Sequence, residues 1–234
     1  MNIRMKFSKG EEIKYISHLD LMRTFQRAIR RGQIPIKYSK GFNPHPEMSF
    51  AQALSLGISS KGEYLDINIK EILDVHELKD KLNRALPEGL VIKEAVVLKD
   101  KAKSAMSLVT HSEYQLYLRF AQTESLYIED VLLSLMDQEE IFIEREKSRK
   151  DSSIIKVNIR PMIRSMHLIS KDDEQYVINC ILSCGSRYNL KPEFLLQALE
   201  EHINKEILYK RVERIELYME QNNVLVPLLK VDSE

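Results

Sequence analysis

Four arginines, Arg23, Arg27, Arg30 and Arg31, and a loop rich in glycine, proline and histidine hold most of the chemistry on offer in this sequence. Both lie between Ser17 and Pro46, in SHLDLMRTFQRAIRRGQIPIKYSKGFNPHP. On a helix the arginines fall at i, i+4, i+7 and i+8 and project from one face. Apart from Asp20 near Arg23, no acid lies among them. A phosphate, which accepts guanidinium forks bidentately, would relieve their mutual repulsion. The alternative is a solvated charged face, the usual fate of such a run.

The loop SKGFNPHPEMSF carries the second group. Gly41 permits backbone conformations barred to other residues, while Pro44 and Pro46 fix φ on both sides of His45. Phe42 could stack on a base, Asn43 read a base edge and His45 contact phosphate, with Lys37 and Lys40 adding charge. The competing reading is a rigid turn that packs Phe42 and Phe50 into the core. His18 and Asp20 invite an acid–base or metal reading, with His45 as a third group. Residues at i and i+2 share a helix face poorly, however. A cap at Ser17, with Asp20 complementing the helix dipole and His18 in a local hydrogen bond, explains them as well.

Other chemistry is sparse. Cys180 and Cys184 lie about 13 Å apart on a strand, too far to share a metal, and read as buried small hydrophobes. No phosphate-binding glycine loop, nucleophile elbow, HExxH or CxxxCxxC pattern occurs. No catalytic residue is therefore assigned; His18, Asp20 and His45 are the weak candidates, and no metal or cofactor is expected.

The elements that position these residues follow from length and pattern. At 234 residues, 44% hydrophobic and 30% charged, the chain suits two globular domains of about 100 residues. Its net charge is +0, yet residues 1–62 carry eleven Lys/Arg against four acids. That asymmetry suggests a basic patch for a polyanion, or else two halves that attract each other. No apolar run approaches the roughly 20 residues that cross a bilayer, and MNIRMKFSKGEE resembles no secretory signal. A cytoplasmic location and no membrane association are expected.

NIRMKFSKG and the following EIKYI read as a first strand with Ile3, Met5 and Phe7 inward. A helix over His18 to about Arg31 follows, capped by Ser17, ended by Gly32 and with Leu19, Met22, Phe25, Ala28 and Ile29 as its apolar face. IPIKYS reads as a strand, Ser59 to Gly62 as a polar turn and Glu63 to Lys70 as a strand. A helix after Asp74 and the strand LVIKEAVVL complete a β-α-β-β-α-β order, the split or ferredoxin-like pattern. The order then repeats, which predicts an α+β fold of two tandem ferredoxin-like domains with antiparallel sheets. The expected boundaries are 1–98, a linker at 99–112, a second domain at 113–220 and a loosely docked tail at 221–234.

The stretch KGEEIKYISHLDLMRTFQRAIRRGQIPIKYSKGFNPHPEMSFAQALSLGISSKGEYLDI resembles the bacterial radical-SAM-linked protein family. This is a domain family of unknown function whose members occur alone or as C-terminal extensions of radical-SAM proteins. The resemblance rests on Ser17–Asp20, the Arg30–Arg31 pair, Tyr38–Pro46 and the run from Leu56 to Asp66. VNIRPMI (Val157–Ile163) and LKPEFLLQAL (Leu190–Leu199) resemble the family's second half. The resemblance implies a radical-SAM protein as partner. The tandem order is also similar to that of CRISPR repeat-RNA endonucleases, a likeness of architecture only.

The expectation is a non-enzymatic module that presents RNA of the tRNA or rRNA class to a radical-SAM enzyme. Arg23, Arg27, Arg30 and Arg31 would hold phosphates; Phe42, Asn43 and His45 would read the substrate. The rivals are a hydrolytic RNA-processing enzyme using His18 or His45, and a protein adaptor docking on an acidic partner.

Overall fold

A computed structural model describes residues 1–71, 73–121, 126–148, 151–172 and 175–231. The chain divides into two compact units, one of Met1–His111 with Arg214–Glu234 and one of Ser112–Glu213. Both mix helices with mostly antiparallel sheet, the α+β class read from the sequence.

In chain order the first unit contains β1 (Asn2–Lys9), α1 (His18–Arg31), β2 (Met48–Phe50), β3 (Ser59–Asn68), α2 (Val75–Ala85), β4 (Leu90–Val97) and the short α3 (Ala105–Leu108). β1 sits between β3 and β4, antiparallel to both, and β2 pairs with β3. Alternation along β1 puts Ile3, Met5 and Phe7 on one face, all fully buried. Against them lie Leu21, Phe25, Ala28 and Ile29 of α1 and Leu78 and Leu82 of α2. Phe25 meets Phe7 edge to face at 4.9 Å. Each such side chain contributes about 1.5–3 kcal/mol by leaving water. Asp74 caps α2 by accepting from the amides of His76 and Glu77.

The second unit contains β5 (His111–Phe120), α4 (Ile128–Asp137), β6 (Phe142–Ser148), β7 (Asp151–Asn158), β8 (Ile163–Asp172), β9 (Gln175–Ser183) and α5 (Pro192–Ile203). The next strand, β10 (Ile207–Gln221), begins in this unit and ends in the first, where β11 (Val224–Pro227) pairs with it. The sheet of the second unit runs β10-β5-β9-β8, while β6 and β7 form a separate two-stranded ribbon. Its buried residues include Leu116 and Leu118 of β5, Leu132 and Leu135 of α4 and Leu195 and Leu199 of α5.

Several local expectations are corrected. Leu19 is 58% exposed; Leu21 takes its place in the core, because the buried arc of α1 centres on Phe25. Glu11–Ile13 form a single helical turn instead of prolonging β1. IPIKYS forms no strand: Ile36 makes only an isolated bridge to Ile69, and the short β2 lies after the loop. Ser59 to Gly62 belong to β3, not to a turn. A Cβ on Gly62 would collide with the carbonyl oxygen of Ile215 and lie 2.9 Å from the Cα of Glu216, so glycine here permits backbones to approach.

The segment expected as a linker contains α3, with Ala105 and Leu108 buried and the Ala105 amide bonded to Asp66 at 2.7 Å. The expected tail is docked: Leu228 is fully buried, and the carbonyls of Leu228 and Val231 accept from Arg4. Its last three residues lie outside the described ones. The residues from Arg214 onward group with the first unit instead of closing the second at 220.

Candidate functional site

Helix α1 is built by local signals. The Ser17 hydroxyl accepts from the Asp20 amide at 3.1 Å and donates to the Asp20 carboxylate at 2.7 Å. That hydroxyl is the main reason the Asp20 carboxyl sits below the usual carboxylate range, with Arg23 assisting at 3.2 Å. Asp20 thus serves as part of the cap. At the other end the Gly32 amide donates to the Ala28 carbonyl at 2.8 Å.

Arg23, Arg27, Arg30 and Arg31 are all exposed. From Arg23 to Arg31 the helix rises about 12 Å. Arg23 pairs with Asp20, and Arg31 donates to the Ala85 carbonyl. The guanidinium groups of Arg27 and Arg30 make no hydrogen bond or ion pair among the described residues. The arc is therefore a run of guanidinium groups with one acid at its N-terminal end. It is well suited to several anionic oxygens in a row.

The loop is closed at its base by backbone. Tyr38 bridges to Pro46, the Ser39 amide donates to the His45 carbonyl at 2.9 Å, and the Glu47 amide donates to the Lys37 carbonyl at 2.8 Å. The His45 amide donates to the Ser39 hydroxyl at 3.0 Å. Near the tip Gly41 has φ of +129°, outside the range that side-chain-bearing residues favour. Lys40, Phe42, Asn43 and His45 are all exposed, and Lys37 is half-buried. The two phenylalanines part ways. Phe50 is buried against Phe7 and Phe25, while the Phe42 ring is wholly in solvent. An apolar ring held out on a braced loop is available for stacking.

His18 lies edge-on to Phe50, with ring centroids 5.3 Å apart. Among the described residues no group of three His, Cys, Asp or Glu could hold a metal ion. Cys180 and Cys184 are buried and not joined in a disulfide; burial pushes the Cys180 thiol far up, so it stays protonated.

Sequence reasoning missed a buried charge cluster in the same unit. Arg214 donates to both oxygens of Glu63 at 2.9 and 3.0 Å, and both side chains are almost fully buried. Lys9, also buried, donates to the carbonyls of Lys14 and Ile16 at 2.9 and 3.4 Å, fixing the turn that delivers Ser17 to the start of α1. Burial pulls the Lys9 ammonium below its ordinary pKa, and the Glu63 charge opposes this. A second such contact joins Arg4 to Asp66 at 2.8 and 3.0 Å. The visible signal was the ionic residues of VERIELYME alternating with apolar ones, but polar positions on a strand ordinarily face water.

The geometry defines an α+β protein with an exposed cationic helix arc and a braced, aromatic-tipped loop. The chain belongs to a family described as an uncharacterized protein conserved in bacteria (DUF2344), whose model matches residues 2–192. No curated protein matches it. Among solved structures, one chain in the crystal structure of a Cbf5-Nop10-Gar1 complex is similar in fold, with a TM-score of 0.50 and 8% identity. The match covers 97% of this chain and 52% of that one, so this chain spans about half its length. An unknown protein from Galdieria sulphuraria matches at a TM-score of 0.22 and 11% identity, over 90% of this chain and 97% of that one. An encapsulated DyP-type peroxidase from Mycobacterium smegmatis has the same TM-score and identity, over 90% and 91%. Superpositions at 0.22 carry no weight for the fold. No helix among the described residues is long and apolar enough to cross a membrane.

Proposed function

We propose that the protein is a substrate-recognition module that binds RNA of the tRNA or rRNA class and presents it to a radical-SAM enzyme in the cytoplasm. The observation that carries this reading is the arc of four exposed arginines with a single acidic partner, accompanied by the solvent-exposed Phe42 on its braced loop. Phosphates would lie along Arg23, Arg27, Arg30 and Arg31, while Phe42 stacks and Asn43 and His45 contact the base and backbone. The partner enzyme is proposed from the family resemblance of the SHLD, Arg30–Arg31 and GFNPHP motifs. The strand orders of the two units support a tandem ferredoxin-like reading. His18, packed on Phe50, and Asp20, used as a cap, have structural tasks that account for them without hydrolysis.

The test is the salt dependence of binding to single-stranded and tRNA-like RNA. Neutralising four phosphates gives a slope of about −2.8 in log affinity against log salt for a single strand, roughly fiftyfold between 50 and 200 mM. The variant with Arg23, Arg27, Arg30 and Arg31 all changed to Gln should lose most of the affinity and nearly all of that slope, while keeping its thermal melt. Unchanged affinity in that folded variant would refute the proposal.

A further inference from the structure

A cavity of about 740 Å³ lies wholly within the second unit and is not used by the proposed RNA site. One wall is the β6–β7 ribbon, contributing Ile143 to Lys147, Val157 and Asn158, with Ile159 and Met162 just beyond it; the other is the segment Arg187–Lys191 with Phe194 of α5. Its volume falls within the 300–1,000 Å³ of ligand-binding clefts.

Two properties define what fits. Val157, Met162 and Phe194 are half-buried and Tyr188 is 54% exposed, giving an apolar floor and wall. Around them stand four cations, Arg145, Lys147, Arg187 and Lys191, against two acids, Glu144 and Glu146. Lys147 is paired with Asp151 at 3.3 Å, and Glu144 faces Lys156 at 3.9 Å. Arg187 lies over the Tyr188 ring at 5.4 Å, while Lys191 caps α5 without any side-chain bond to it. Arg145, Arg187 and Lys191 are therefore cations without an ion-pair partner among the described residues, set around an apolar trough.

Chain geometry favours an extended peptide. In a two-stranded ribbon each strand has one unpaired edge, which can accept a further strand through its main-chain groups. Five consecutive residues of β6 line the cavity, about 13 Å of strand, enough to match four or five residues of a partner. The floor is mostly aliphatic, with one well-exposed ring, which suits side chains better than a succession of stacked bases.

We propose that this groove binds an extended peptide segment of a partner protein in which acidic and apolar side chains alternate. Apolar residues enter between Val157, Met162 and Phe194, and carboxylates meet Arg145, Arg187 and Lys191. The inference does not depend on the RNA reading, since no residue is shared between the two.

Fluorescence anisotropy with the full chain tests it, using a labelled heptapeptide of alternating Glu and Leu and its twin with Lys for Glu. The acidic peptide is expected to bind roughly tenfold more tightly than the twin, with the preference falling as salt rises. The double variant Arg187→Gln, Lys191→Gln should remove most of that preference, and Met162→Gln should weaken binding of the acidic peptide. Both alter accessible side chains, and thermal melts check the fold. Failure of the acidic peptide to bind, equal binding of the twins, or an unchanged preference in the double variant overturns the proposal. So does loss of RNA affinity in the double variant without loss of peptide binding, which would make the groove an RNA site. Persistence of peptide binding in the variant lacking the four helix arginines separates this inference from the proposed function.

Discussion

Replacing Glu63 by glutamine removes the carboxylate that accepts both hydrogen bonds from Arg214 in the buried cluster while preserving side-chain volume. Both Glu63 oxygens accept from Arg214, and the side chains are 4% and 3% exposed. The neighbouring Lys9 is equally shielded and is supported electrostatically by Glu63. The amide would leave the buried Lys9 and Arg214, which already repel one another, without the Glu63 charge between them. At an effective dielectric near 20, a lost contact at about 3 Å corresponds to roughly 5 kcal/mol, which a residual amide hydrogen bond offsets in part. Breaking one side of a buried pair costs about 3–5 kcal/mol, a large share of the 5–15 kcal/mol by which proteins are stable.

The assay is urea unfolding, followed by far-ultraviolet circular dichroism and by the fluorescence of the ten tyrosines, since there is no tryptophan. Adding Arg214→Met to Glu63→Gln should recover part of the loss, because the buried guanidinium that faced the carboxylate is gone as well. Alkaline pH supplies a further check on sign. The folded-state pKa of Lys9 lies below its ordinary 10.5, so the buried ammonium opposes folding at neutral pH. That cost is relieved as pH rises from the folded-state value to the ordinary one, and the Lys9 contribution makes stability increase across that window. Loss of Glu63 should lower the Lys9 value further and widen the window. A destabilisation below about 1 kcal/mol, or a double variant no better than the sum of its parts, would refute the assignment of a dry, coupled cluster.

Three other substitutions probe distinct layers. Ser17→Ala should cost about 0.5–2 kcal/mol as the α1 cap is lost, and NMR titration should show the Asp20 pKa returning toward the ordinary carboxylate range. The stabilisation held by Asp20 is present above that range and lost as pH falls through its depressed value, so the variant, with little of that depression left, should lose less stability over the same acid window. Gly62→Ala forces a methyl against the backbone of Ile215 and Glu216 and should cost about 1–3 kcal/mol in a denaturant melt; a neutral result would show that β10 yields readily. Phe42→Ala should leave stability within about 0.5 kcal/mol but weaken RNA binding by about 1–3 kcal/mol, measured by filter binding, if the ring stacks on a base.

The legible parts of this chain were those whose causes are local. Ser17, the helical repeat of Phe25, Ala28 and Ile29, and Gly32 mark both ends of α1 as the structure has them, because caps and periodicity act within one or two turns. Asp74 marks α2 for the same reason. Arg23, Arg27, Arg30 and Arg31 were expected on the surface and are there, since a guanidinium without a partner is too costly to bury. The loop's proline bracing was visible, but two outcomes were open for Phe42. Only the closure of its base, at Tyr38–Pro46 and Ser39–His45, leaves that ring in solvent.

What failed were readings that depended on distant partners. Ser59 to Gly62 look like a turn by composition, yet pairing with β1 on one side and the approach of β10 on the other make them strand. Lys9, Glu63 and Arg214 look like solvent-facing positions on three strands. They become a buried cluster because Arg214, 151 residues beyond Glu63, returns within the last long strand. Ser17–Pro46 by itself thus determined a capped helix, a cationic arc and a braced loop, since the forces that shape them act over a few residues. The tertiary structure alone decided which ring is exposed, which charges are buried and where the chain divides, since burial and ion pairing depend on what the fold brings alongside.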